Sequence, residues 1–104
     1  MTREITLGGV DQIPLGEGRT FAAGDKQIAV FRTRAGGVYA VQALCPHRGG
    51  PLADGLVGDF TVVCPLHERT FDLRTGTGVG CEDSVRRFSV RLDQNGWMYV
   101  SVQS

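Results

Sequence analysis

Hydrophobic and polar residues alternate over short stretches of this chain, which is the pattern expected of β-strands. At residues 27–33 the side chains of Ile28 and Val30 fall on one face of a predicted strand, and those of Ala29 and Phe31 fall on the other. The pattern therefore predicts a β-strand here.

Turn residues separate the predicted strands and pair them into hairpins. Ala-Gly-Gly at 35–37 leads into a second apolar strand at 38–41, which predicts a hairpin. A second hairpin is predicted near the C-terminus, where the alternation at 88–92 is followed by the turn 93–96 and by a strand at 97–100. Weaker strands are predicted near Ile5, at 20–22 and at 61–63. No segment carries a sustained helical period with caps at both ends.

Composition supports one small β-rich domain. The chain has 104 residues, 41% of them hydrophobic, which suits a single core, so we expect one domain over 1–104. Its 15 glycines are about twice the average usage and suit many turns between short strands. We therefore expect an all-β fold, a small antiparallel sandwich or barrel.

The charge balance and the absence of long apolar runs narrow the classes of function. Eleven Lys and Arg residues balance eleven Asp and Glu residues, so the surplus of positive charge that favours nucleic acid is missing. No apolar run approaches the length of a membrane span or resembles a secretion signal. We expect a soluble, cytoplasmic protein with no nucleic-acid or membrane partner. A chain this small is expected to need a partner for any catalysis.

Both histidines of the chain follow closely after a cysteine. His47 lies two residues after Cys45, and His67 lies three residues after Cys64. Each segment is rich in turn residues and follows a predicted strand. We therefore expect two loops that close on one site, each with one thiolate and one imidazole.

Thiolate and imidazole suit zinc or an iron–sulfur cluster. Zinc fingers place both cysteines on a hairpin and both histidines on a following helix, whereas each loop here carries one of each. A Rieske [2Fe–2S] centre holds one iron with two cysteines and the other with two histidines, so each loop supplies one ligand per iron. The alternation favours the cluster. A zinc site and a Cys45–Cys64 disulfide are the alternatives, and either would make the chain an interaction module with stapled loops.

The two boxes resemble those of Rieske iron–sulfur domains, and the likeness extends to residues 49–52, 71–72 and 75–76. The resemblance implies a Rieske-type antiparallel sandwich or barrel with a small cluster-binding subdomain, formed by two loops at about 44–72. It also implies an electron carrier that is not catalytic alone.

The resemblance implies one [2Fe–2S] cluster that carries one electron per cycle. Cys45 and Cys64 would ligate the buried iron, and His47 and His67 the outer iron near the surface. Pro51 would lie in a loop packed over the cluster. Reduction should raise the proton affinity of the ligand imidazoles, so the midpoint potential should fall at alkaline pH.

The residues two and four positions after the second histidine bear on the reduction potential of the cluster. High-potential members of the family carry a serine and a tyrosine there, whose hydroxyls bond to sulfur, whereas this chain has Arg69 and Phe71. Fewer hydrogen bonds to sulfur leave the reduced cluster less stabilised. We expect a midpoint nearer about −150 mV than about +300 mV. Arg69 is either a solvated charge or one that attracts an acidic partner or offsets the charge of the cluster.

The resemblance leaves two redox partners open. Residues 28–34, 45–55 and 80–82 look more like the small subunit of an assimilatory NAD(P)H nitrite reductase, which binds a large sirohaem- and flavin-containing subunit. The alternative is a Rieske ferredoxin that passes electrons from a reductase to an oxygenase. Glu68 stands where such ferredoxins usually have glycine, which favours the first interpretation.

Overall fold

Short β-strands make up nearly all of the regular structure in the computed structural model, which describes residues 2–46, 49–66 and 69–103. No α-helix occurs in these ranges; two 3-10 turns lie at Val10–Gln12 and Leu52–Asp54. The strands are β1 (Thr2–Gly9), β2 (Glu17–Ala23), β3 (Lys26–Arg32), β4 (Val38–Gln42), β5 (Leu56–Val57), β6 (Thr61–Val63), β7 (Thr70–Asp72), β8 (Gly78–Val79), β9 (Arg87–Phe88), β10 (Val90–Leu92) and β11 (Trp97–Gln103).

The described strands form three sheets, and every pairing between them is antiparallel. Their orders are β1-β11-β10, β2-β3-β4-β9 and β5-β6-β7-β8. The predicted all-β antiparallel fold is therefore confirmed. The short strands β5, β7 and β8 were not predicted, because two or three residues are too few to show alternation.

Strand β3 is buried on both faces, and the two faces contain the residues that the alternation assigned to them. Ala29 and Phe31 belong to one core, whereas Ile28 and Val30 belong to a second core on the other side of the strand. All four side chains are fully buried. Strand β3 therefore separates the two cores, and the first of them contains Cys45 and Cys64.

The turn between β3 and β4 forms as predicted. The Thr33 N–H donates to the Gly37 carbonyl at 2.8 Å, and the Gly37 N–H donates to Thr33 Oγ1 at 3.0 Å. Gly36 has a φ of +94°, a left-handed conformation that glycine adopts at little cost. This turn sets the register that pairs Arg32 with Val38.

The predicted C-terminal hairpin is only partly correct, because the first strand divides between two sheets. Phe88 in β9 pairs with Ala40 of β4, whereas Val90 in β10 pairs with Val100 of β11. The chain passes from one sheet to the next at Ser89. Alternation of side chains continues through such a crossing, so it predicted one strand where there are two.

Candidate functional site

The first predicted ligand loop leaves β4 and folds back on itself. Leu44 and Pro51 form an isolated antiparallel bridge at its base. The Cys45 N–H donates to the Gly50 carbonyl, and the Gly49 N–H donates to the Cys45 carbonyl, both at 2.8 Å. These bonds place Cys45 at the buried base of the loop, where it is 2% exposed.

The second predicted loop joins β6 to β7. The Cys64 N–H donates to the Arg69 carbonyl at 2.7 Å, which ties its two ends together. Cys64 is fully buried, whereas Leu66 in the same loop is 57% exposed. The second cysteine therefore also lies at the base of its loop.

The two loops meet at Gly50. A Cβ atom built on this buried glycine would lie 3.1 Å from Cys64 Sγ and 2.9 Å from Leu66 Cγ. The backbone of the first loop therefore packs directly against a cysteine of the second. The motif suggested a turn at this glycine, but one sequence contains no signal for the contact across the loops.

Both cysteines lie in one apolar core, with Leu52 and Phe71 among its members. Phe71 is fully buried in this core. Because it is a phenylalanine, the core has no hydroxyl at the position that the family resemblance singled out. Cys64 is a free thiol, which counts against the disulfide alternative and leaves its sulfur available as a ligand.

The predicted ligands His47 and His67 lie outside the described residues. They follow Cys45 and Cys64 by two and three positions in the sequence. Within the described part of the chain no three metal-ligating side chains come together. The structure thus brings the cysteine half of the predicted ligand set to one place.

Exposed apolar side chains lie close to both cysteines. Leu44 is 52% exposed next to Cys45, and Leu66 is exposed two residues after Cys64. A cleft of about 460 Å³ lies beside Cys64, with Leu56 and Pro65 among its lining residues. Exposed apolar side chains next to the buried cysteines suit contact with another protein better than they suit a charged small molecule.

A turn follows the second loop, and Asp72 organises it. Its Oδ1 accepts the Arg74 N–H at 2.8 Å, and its Oδ2 lies 3.1 Å from the Arg74 guanidinium. The hydrogen bonds from Arg74 hold the pKa of the Asp72 carboxyl below its ordinary value. Thr75 Oγ1 supplies another local bond, accepting the Thr77 N–H at 3.2 Å.

The donor chemistry of the site fits an iron–sulfur cluster. Two thiols from separate loops converge in a core from which water is excluded, and thiolates are the ligands of iron–sulfur clusters. The Gly50 backbone leaves space beside Cys64 Sγ that a side chain would take. No described helix is long and apolar enough to cross a membrane.

Comparison with known proteins identifies a family. The model of the Rieske [2Fe-2S] domain matches residues 4–91. The chain is 41% identical over 88 residues to the anthranilate 1,2-dioxygenase ferredoxin subunit of Burkholderia cepacia, covering 83% of this chain and 81% of that one.

Nitrite reductases are also similar to this chain. It is 36% identical over 89 residues to the nitrite reductase [NAD(P)H] of Emericella nidulans, a match that spans 76% of this chain but only 8% of the fungal protein. A solved structure from Mycobacterium tuberculosis, assigned as an NADH-dependent nitrite reductase small subunit, aligns with a TM-score of 0.91 at 26% identity. It covers 100% of this chain and 98% of its own.

Proposed function

The chain belongs to the Rieske [2Fe-2S] domain family, and from this premise we propose that its two Cys–His loops hold one [2Fe–2S] cluster and pass single electrons to a partner oxidoreductase. When bound, such a cluster cycles between two oxidation states that differ by one electron. The proposed ligands are Cys45, His47, Cys64 and His67.

The observation that carries this proposal is the convergence of two buried cysteines from separate loops. Cys45 and Cys64 lie in one core, and Gly50 of the first loop contacts Cys64 of the second. A cluster that needs one ligand per iron from each loop requires such an approach of the two loops. The protein's own part is to keep the two cysteines away from water, while Leu44 and Leu66 near them are exposed at the surface.

Electron paramagnetic resonance tests the proposal directly. Protein purified without oxygen should give no signal when oxidised and a rhombic Rieske-type signal after dithionite, with equal iron and sulfide. Cys64→Ser should lose the signal and the iron, because it removes a proposed ligand. Cys81→Ser should keep both, since Cys81 is a partly exposed thiol outside the loops. Zinc in place of iron would instead support an interaction module stapled by metal.

We propose a nitrite reductase large subunit as the partner. The full-length likeness to the Mycobacterium tuberculosis structure supports this. A second candidate partner is an oxygenase, which the 41% identity to the Burkholderia cepacia ferredoxin supports. Capture of the tagged chain from its native cells, followed by mass spectrometry, distinguishes the two candidate partners. The reduced chain is then mixed with each purified partner, and the partner that reoxidises it is identified.

The remaining parts of the proposal are one domain over 1–104 and a location in the cytoplasm. Limited proteolysis should leave the chain uncut between its strands if it is one domain. Cell fractionation should recover the chain with cytoplasmic marker proteins.

A further inference from the structure

Arg69 connects the second ligand loop to a segment beyond β8. Its carbonyl accepts the Cys64 N–H at 2.7 Å, and its guanidinium Nη1 lies 3.1 Å from Asp83 Oδ2. The two side chains are 31% and 35% exposed, so water screens the pair only in part. One residue is thus bonded through its backbone to a proposed ligand and through its side chain to a carboxylate outside the loop.

The backbone holds Asp83 in place. Its carbonyl accepts the Gly78 N–H at 2.9 Å, and a Cβ on Gly78 would collide with that carbonyl. An isolated bridge between Thr77 and Ser84 fixes the same segment from its other side. Strand β8 is in turn paired with β7, which follows the second loop. The carboxylate is therefore presented to Arg69 from a segment anchored to the same sheet.

The charges of this pair act in opposite directions on any nearby group that gains an electron. A guanidinium favours the more negative, reduced form, and a carboxylate opposes it. Building on the function proposed above, we propose that Asp83 is a positioning residue: its ion pair holds the Arg69 guanidinium in place and offsets its charge, and so sets how readily the bound cluster accepts an electron.

Single substitutions separate this electrostatic role from a structural one. Asp83→Asn leaves the guanidinium uncompensated, so the midpoint potential should rise. Arg69→Gln leaves the carboxylate uncompensated, so the midpoint should fall. Arg69→Lys keeps the positive charge, so of the three variants its midpoint potential should be closest to that of the unaltered protein. If the ion pair had only a structural role, Asp83→Asn and Arg69→Gln would instead shift the midpoint potential in the same direction or leave it unchanged.

A second ion pair supplies the matched control. Glu4 and Arg91 lie 2.9 Å apart on the sheet that contains β1 and β10, and both are about half exposed. Glu4→Gln should leave the midpoint unchanged. The measurement is a redox titration followed by the reduced-state signal at low salt, repeated at high salt, where both shifts should shrink because the screening length shortens.

The outcomes separate the two proposals. If the unaltered protein gives a Rieske-type signal and the shifts at Asp83 and Arg69 have opposite signs and exceed that of the Glu4 control, the inference holds. If the signal is present but the shifts match the control or share one sign, the inference fails and the proposed function stands. If the unaltered protein has no such signal, both fail, because there is no cluster for the pair to influence.

Discussion

Replacing Gly50 with alanine would place a methyl group between the two ligand loops. The added carbon would lie 3.1 Å from Cys64 Sγ, 2.9 Å from Leu66 Cγ and 3.0 Å from Leu66 Cδ1. The two neighbours differ in freedom: Leu66 is 57% exposed and can turn away, whereas Cys64 is fully buried. The structural cost of the substitution therefore falls mainly on the position of the Cys64 sulfur.

The magnitude follows from two opposing terms. Inserting a methyl group into a packed site costs about 1–3 kcal/mol. Alanine also restricts the unfolded chain, which returns about 0.4–1 kcal/mol, and Gly50 does not have the positive φ that would add strain. We expect a net loss of about 1–2 kcal/mol in the free energy of unfolding. With a urea dependence of about 1–3 kcal/mol per molar, the unfolding midpoint should fall by roughly 1 M.

The assay is urea unfolding of iron-loaded protein without oxygen, followed by far-ultraviolet circular dichroism. Gly9→Ala is the matched control, because a Cβ at Gly9 has nothing within 4 Å and its φ is −75°. The control should be at least as stable as the unaltered protein. The Gly50 variant should also show a changed reduced-state resonance spectrum, since it displaces the sulfur of a proposed ligand.

Two results together would refute this reasoning. They are an unfolding midpoint for Gly50→Ala equal to that of Gly9→Ala, and an unchanged resonance spectrum. Leu66 would then have absorbed the whole perturbation, and the contact between Gly50 and Cys64 would not restrain the site.

Two further predictions concern a buried ring and a turn. Phe71→Tyr adds a hydroxyl inside the core that holds both cysteines, so a redox titration should show a higher midpoint potential; an unchanged or lower one would contradict the argument from missing hydrogen bonds. Hydrogen bonds from the backbone N–H groups of Trp97 and Asn95 lower the pKa of the Asp93 carboxyl below its ordinary 3.8. The ionised form therefore stabilises the fold above that value and loses this effect as the pH falls through the lower folded-state pKa. Asp93→Asn should unfold at lower urea than the unaltered protein at about pH 7, with the gap closing in acid, and a gap independent of pH would contradict this.

The sequence predicted what short periodic patterns can encode. The two faces of β3 and the turn at Gly36 followed from local alternation and turn chemistry, and both are confirmed. The division of the predicted strand at Ser89 could not be foreseen, because alternation does not specify which sheet a strand joins. That choice depends on contacts far apart in the chain, such as Phe88 against Ala40.

The candidate site shows the same limit. The spacing of cysteines and histidines predicted two loops and a shared site, and the structure brings Cys45 and Cys64 into one core. The ion pair of Arg69 with Asp83 carried no sequence signal, since fourteen positions separate two residues of common types. The places of His47 and His67 remain predictions.

Strand β3 contributes side chains to both hydrophobic cores. Because Phe31 and Val30 lie in different cores, displacing strand β3 disrupts both cores at once. We therefore expect the chain to unfold as one cooperative unit, with no intermediate in which only the core that contains both cysteines has come apart. A cellular protease would then find few partly unfolded forms of the chain to cleave. The lifetime of the chain would then depend on the rare opening of the whole molecule, whichever half a mutation happens to weaken.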